Sequence, residues 1–379
     1  MTSFPAPRTV RDQVESVLRV ALDEALRPLD ASAIETLERH KDGSFGLSYL
    51  SLLLYCNGWN LRSYSTHHPR GLLYRAPAAI FGVGCFAFDD DQPTRGGAHL
   101  VAPRGRDAEV TAASVATCIR REFPHLPVYA RHLEPELYRT FLDAGRWLPI
   151  DAAPWDEAAP SEDETYCHRR IRLADLIELD GQGHRVQVLE TGGSRSFRRK
   201  AHLAHNRFGN FLARERLRYR LVPLTEARIP DASEIVARHF AAVSASRELI
   251  GSSFADYKSL VRMVPSPEDG RFHCRVGYLE GEGWRQPVSF FAAERLGHGG
   301  WGCYATISRR DPDLLPSSVD PRGFSAIAQF ALLELFAELL RAGAEWVDLG
   351  GSETPELDRF KRQLGARHHP THWAVFDGR

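Results

Sequence analysis

Trp346-Val347-Asp348-Leu349-Gly350-Gly351, followed by Thr354-Pro355-Glu356-Leu357-Asp358-Arg359-Phe360-Lys361-Arg362-Gln363-Leu364-Gly365, is the stretch from which the rest of the chain is read. Its first part is a short apolar run closed by glycines, the pattern of a buried strand entering a tight turn. Its second part predicts a short helix. Thr354 suits the N-cap, Pro355 the first helical position, Glu356 the positive end, and Gly365 the stop. Leu357, Phe360 and Leu364 recur at helical spacing and form the inward stripe. Lys361 stands one turn after Leu357 at the edge of that stripe, while Asp358, Arg359 and Arg362 are expected to point further out. Lysine is scarce here: of 48 Lys and Arg residues, only Lys41, Lys200, Lys258 and Lys361 are Lys. A compact ammonium beside an apolar face, just after a glycine turn, is suited to stabilising an oxyanion. The plainer alternative is a surface lysine whose stem lies along the helix.

Working outward, the second half alternates clearly. Leu217–Leu224 reads as a strand, Ala232–Ala242 and Phe254–Met263 as helices, and Phe272–Leu279, Pro287–Arg295 and Trp301–Ser308 as strands. Gly297-His298-Gly299-Gly300 is the hairpin turn between the last two. Phe324–Arg341 predicts a long apolar helix ended by Gly343, and Glu345–Leu349 and His372–Phe376 predict strands. The first half mixes helices over 9–27, after Asp30, over 109–121 and over 135–144 with strands over 72–74, 79–88 and 128–132. Residues 154–164, acidic and rich in Ala and Pro, predict a loop. There is no dinucleotide or Walker fingerprint.

The order β-α-α-β-β-β-α-β-α-β over about residues 215–379 resembles the GNAT acyltransferase fold. Within it, Asp348-x-Gly350-Gly351 at a strand end, then Leu357-x-x-Phe360-Lys361-x-x-Leu364-Gly365, resembles the C-terminal signature of the Fem family. Those enzymes are two-GNAT-domain peptidyl transferases that take an aminoacyl group from aminoacyl-tRNA. The resemblance implies an α/β (α+β) chain of two tandem GNAT-like domains, each a mixed, mostly antiparallel sheet flanked by helices. Residues 1–185 would be a diverged GNAT-like domain and 186–379 the transferase domain. The last strand would either stay with the second domain or pair with the first, as in similar Fem proteins. The resemblance also implies that Phe360 packs in the transfer site and Lys361 stabilises the tetrahedral oxyanion. The donor would be aminoacyl-tRNA and the acceptor an amine, on a small metabolite or a peptide precursor, with no cofactor. Similar proteins act in natural-product pathways, and a chain without an obvious coiled-coil insertion leans toward a small acceptor.

Other residues of the site have two readings each. Asp348 either orients a substrate amine or holds a backbone turn. Gly350 and Gly351 serve backbone geometry and also let a substrate approach closely. Glu353 is a candidate for a local base. Arg195, Arg198, Arg199, Lys200 and Arg207 belong to a basic, aromatic-interleaved stretch running to Arg220, expected to be helical and to grip tRNA phosphates; a solvated linker helix is the alternative. His368, His369 and His372 lack the closed, carboxylate-supported spacing of a metal site, so no metal is expected.

The competing class is a CoA-dependent N-acyltransferase. Its pyrophosphate loop would fall over 309–324, where one glycine, prolines and aspartates replace a glycine-rich cradle.

Composition bounds the rest. With 379 residues, two domains are expected, and 43% apolar with 26% charged residues is globular usage. A net charge of −1 exerts no global pull on nucleic acid or membrane, so any polyanion contact is local. The six scattered cysteines and the lack of a leader or membrane-length apolar run fit a reducing cytoplasm. Heavy use of Arg and Ala hints at a bacterial genome rich in GC.

Overall fold

A computed structural model describes residues 26–29, 32–56, 72–76, 79–86, 97–150, 168–179, 186–188, 195–244, 260–262, 269–309, 311–352 and 355–378. Most of the expected helix over 9–27, the loop over 154–164 and most of the helix over 254–263 lie outside these residues. The chain divides into two compact units, residues 1–161 with 370–379, and residues 162–369.

The first unit holds a seven-stranded sheet in the order β1-β2-β3-β4-β5-β16-β6. Its strands are β1 (Leu26–Pro28), β2 (Leu72–Ala76), β3 (Ala79–Phe86), β4 (Gly97–Arg104), β5 (Val128–Leu133), β6 (Trp147–Ile150) and β16 (His372–Phe376). Only β4 and β5 run parallel, as Ala98↔Val128 to Val101↔Arg131, and the connection between them is α3 (Ala108–Glu122). A parallel pair needs such a crossover, because no tight turn can reverse the chain twice. α3 turns Ala112, Val115, Ala116 and Ile119 inward onto Phe81, Leu100 and Val128. The smaller helices are α1 (Ala33–Glu38), α2 (Tyr49–Cys56) and α4 (Pro135–Asp143). The end of the expected first helix, at Leu26, is strand instead, paired with Tyr74.

The second unit holds another seven-stranded sheet, in the order β10-β11-β12-β13-β14-β7-β15. These are β7 (His168–Arg172), β10 (Arg218–Pro223), β11 (Phe272–Gly281), β12 (Trp284–Gly297), β13 (Gly300–Ser308), β14 (Trp346–Asp348) and β15 (Arg367–His369). A separate two-stranded ribbon pairs β8 (Ile177–Leu179) with β9 (Val186–Val188). Again one pair, β13 and β14, is parallel, and again a helix, α7 (Ile327–Arg341), makes the crossover. From β11, His273 and Arg275 reach Glu338 of α7, whereas Tyr278 reaches Asp231 of α6 (Ile229–Ser244). Strand alternation therefore sets α7 and α6 on opposite faces of the sheet. α7 is apolar nearly all round because the sheet lies on one side and α5 (Arg195–Arg214) on another. Phe208 and Phe211 of α5 pack with Phe324 and Phe330, closing that layer.

Each unit thus repeats one mixed, mostly antiparallel sheet with a helix-crossed parallel pair, the tandem GNAT-like architecture. The units meet at 161/162, upstream of the 185/186 position read from the sequence, because β7 pairs with β14 and β15. The last strand, β16, pairs with β5 and β6 of the first sheet.

Candidate functional site

The site grows from the end of β14. Asp348 is fully buried, and a buried carboxylate needs partners. It has three: Arg170 Nε donates to Oδ2 at 2.8 Å, His168 Nδ1 lies 3.3 Å from Oδ1, and the Gly350 amide donates to Oδ1 at 2.9 Å. Burial pushes the Asp348 carboxyl up, but His168 and Arg170 outweigh it and hold the group well below the usual carboxylate range. The Arg170 guanidinium also lies 4.5 Å over the Trp346 ring. Through the Gly350 amide, Asp348 holds the turn that follows it.

The glycine turn departs from β13 along β7. Leu349 N donates to Arg169 O at 2.8 Å, and Arg169 N to Gly350 O at 3.2 Å. Gly350 has φ +68°, a left-handed conformation that costs glycine little. The helix predicted after the turn is α8 (Pro355–Gln363). Gly365, with φ +86°, ends it as expected. Lys361 is not at the solvent edge but buried, 7% exposed. Its Nζ donates to Gly350 O at 3.3 Å and also to Gly351 O. The ammonium is therefore fixed against the turn that Asp348 holds from the other side.

Asp358 corrects the helical-wheel reading, which placed it outward. It is 5% exposed and takes both nitrogens of Arg169, Nε at 2.7 Å and Nη2 at 3.2 Å. This fork pins α8 to β7, as bidentate guanidinium–carboxylate geometry does. Phe360 packs partly buried against the core of the second unit, with Leu364 inside it. Glu353 lies outside the described residues.

His168, Arg169 and Arg170 are the site residues that sequence reading missed. Their signal was a basic strand, His168-Arg169-Arg170-Ile171-Arg172, too cationic to be buried without acids to meet it.

Near the turn, Cys303 feels both charges. Burial pushes its thiol up, Asp348 adds to that, and Lys361 opposes it. Burial likewise pushes the Cys274 thiol up to about 12. Neither is a thiolate at neutral pH, so neither is a ready nucleophile.

Residues 195–214 of the basic stretch are helical and form α5, while Arg218 and Arg220 lie on β10. Arg195, Arg198, Arg199 and Lys200 are in the first two turns of α5, with side chains outside the described ones. Arg207 is exposed. The interleaved Phe208 and Phe211 point into the core rather than outward as a stacking platform. α8 packs against α5, so the Lys361 helix and the basic helix are neighbours.

Where a pyrophosphate loop would precede α7, the described arginines, Arg309 and Arg322, are engaged by acids. Arg309 is buried and lies 3.1 Å from Glu234 and 3.2 Å from Asp311. Arg322 Nε donates to Asp320 at 2.6 Å. His368 and His369 belong to β15, whereas His372 stacks on Tyr138 at 4.4 Å in the first unit. Among the described residues no group of three or more His, Cys, Asp or Glu could hold a metal ion. No helix among them is long and apolar enough to cross a membrane.

No protein-family model matches the sequence, and no curated protein does. Solved structures do match. A conserved protein of unknown function from Bacteroides thetaiotaomicron VPI-5482 is 12% identical with a TM-score of 0.57, over 93% of this chain and 99% of that one. L-PGS from Bacillus licheniformis is 12% identical with a TM-score of 0.54, over 93% and 94%. FemX is 10% identical with a TM-score of 0.52, over 91% and 94%. Likeness over nearly the whole length at such low identity is likeness of fold, and the fold is one shared with FemX and L-PGS.

Proposed function

We propose that this chain is an acyltransferase that moves an amino acid from aminoacyl-tRNA to an amine, on a small metabolite or a peptide precursor, and forms an amide. The observation that carries this reading is the buried ammonium of Lys361, fixed on the Gly350 and Gly351 carbonyls at the end of β14. An aminoacyl ester is already activated, so its aminolysis needs orientation and charge stabilisation more than a strong base. When the amine attacks, negative charge collects on the ester carbonyl oxygen. A cation held in a water-poor site, with its position already set, stabilises that charge without reorganising. Asp348, through Arg170, His168 and the Gly350 amide, keeps the turn in place.

The donor side rests on α5. Arg195, Arg198, Arg199, Lys200 and Arg207 would neutralise tRNA phosphates, and α5 adjoins the Lys361 helix within residues 162–369. The acids on Arg309 and Arg322 speak against CoA pyrophosphate as the alternative anchor.

The test uses purified protein, bulk tRNA charged with radiolabelled amino acids, and a panel of amines, with acetyl-CoA titrated in parallel by calorimetry. Label should leave the tRNA for an amine, RNA binding should weaken steeply with salt, and acetyl-CoA should give no heat. Lys361→Met should slow single-turnover transfer by about 10²-fold while tRNA binding is kept. Acetyl-CoA heat with inert tRNA would overturn the donor assignment, and a loss under about threefold in Lys361→Met, roughly 0.7 kcal/mol, would remove Lys361 from the chemistry.

A further inference from the structure

Ser352 is the residue immediately after Gly351. It is fully buried, and its Oγ has no hydrogen-bond partner among the described residues. Native structures leave few such groups, and each one asks for an explanation. This one sits beside the proposed transfer centre, since Gly351 O accepts from Lys361. Covalent geometry alone keeps Ser352 Oγ within about 5 Å of that carbonyl oxygen.

We propose that the Ser352 hydroxyl is the second donor, beside Lys361, to the oxyanion formed during aminoacyl transfer. The inference rests on the transfer reading above. The attacking amine's lone pair forms the C–N bond at the ester carbonyl carbon, and the C=O π pair moves onto oxygen. Ser352 O–H and the Lys361 ammonium each donate a hydrogen bond to that oxygen and keep their protons. The pair then re-forms C=O, and the C–O bond to the terminal ribose breaks. The ribose oxygen leaves with the proton shed by the amine. The products are an amide and a free ribose hydroxyl. A donor that waits for a charge present only in the transition state is left without a partner in the resting protein, which is the state seen for Ser352.

The test is Ser352→Ala, read by melting temperature, tRNA binding and single-turnover transfer. Removing a hydroxyl that has no partner should leave the melting temperature equal or higher. Transfer should fall by about 10-fold to 10²-fold with tRNA affinity unchanged. Ser352→Ala combined with Lys361→Met should lose less than the product of the single losses, because both donors serve one oxygen. A variant that loses melting temperature and rate together shows a structural hydroxyl and overturns the proposal. So does a variant that transfers at the wild-type rate, in which case the transfer reading stands. Wild-type protein that releases no label overturns both.

Discussion

Asp348 joins three groups at one carboxylate: a guanidinium, an imidazole and a backbone amide. Because its carboxyl is held well below the ordinary range once folded, the stability it contributes is present above the ordinary aspartate pKa. That contribution is lost as pH falls toward the lowered value. Asp348→Asn keeps the shape but leaves the part-buried Arg170 beside a neutral group. At neutral pH the variant should be less stable by about 1.5–3 kcal/mol, the usual worth of hydrogen bonds to a charged group. The difference from wild type should shrink once pH drops below about 4, as the unfolded chain's Asp348 carboxylate takes up protons that the folded one still refuses. Urea unfolding at pH 7 and pH 3 measures both. An equal gap at the two values would show that the charge does not matter.

At the scale of elements, α8 owes its place to β7. Arg169 and Asp358 join residues 189 positions apart in the chain, and their fork fixes the helix that carries Lys361. Arg169→Ala and Asp358→Ala should each slow transfer and lower stability, and the double variant should lose less than the sum. Additive losses would mean that the two side chains act separately. The same pair marks how far the sequence could be read. Helix α8 and strand β14 were readable because glycine and proline punctuate them and Leu357, Phe360 and Leu364 keep a helical period. Asp358 was misplaced because a periodic stripe records only apolar residues and cannot see a guanidinium arriving from residue 169. Strand β7 was missed for the complementary reason: one isoleucine among four cationic or imidazole residues has no apolar alternation. Strand β4, in the first unit, is buried along nearly its whole length and likewise lacks the alternation of a half-exposed strand. The burial of Lys361 was half readable, since its place beside the stripe was clear and the carbonyls that anchor it were not.

At the scale of the molecule, the last described strand lies inside the first sheet. β16 sits between β5 and β6, pairing Ala374 with Ala130 on one side and with Pro149 on the other. Its Phe376 packs on Trp147 at 5.2 Å, and Trp373 takes the Arg131 guanidinium at 4.0 Å. Deleting residues 370–379 should therefore unfold the first unit, although the segment follows the second in sequence. Hydrogen exchange should show β5 and β6 losing protection first, and a truncated protein with full protection there would contradict the topology.

That interior position also sets a clock on biosynthesis. A ribosome releases β5 and β6 some 220 residues before it makes the strand that divides them. Domains made early usually fold as they emerge, but here the earlier-made half waits for a strand made after the second half. A message cut short anywhere in the second half therefore yields no finished first half.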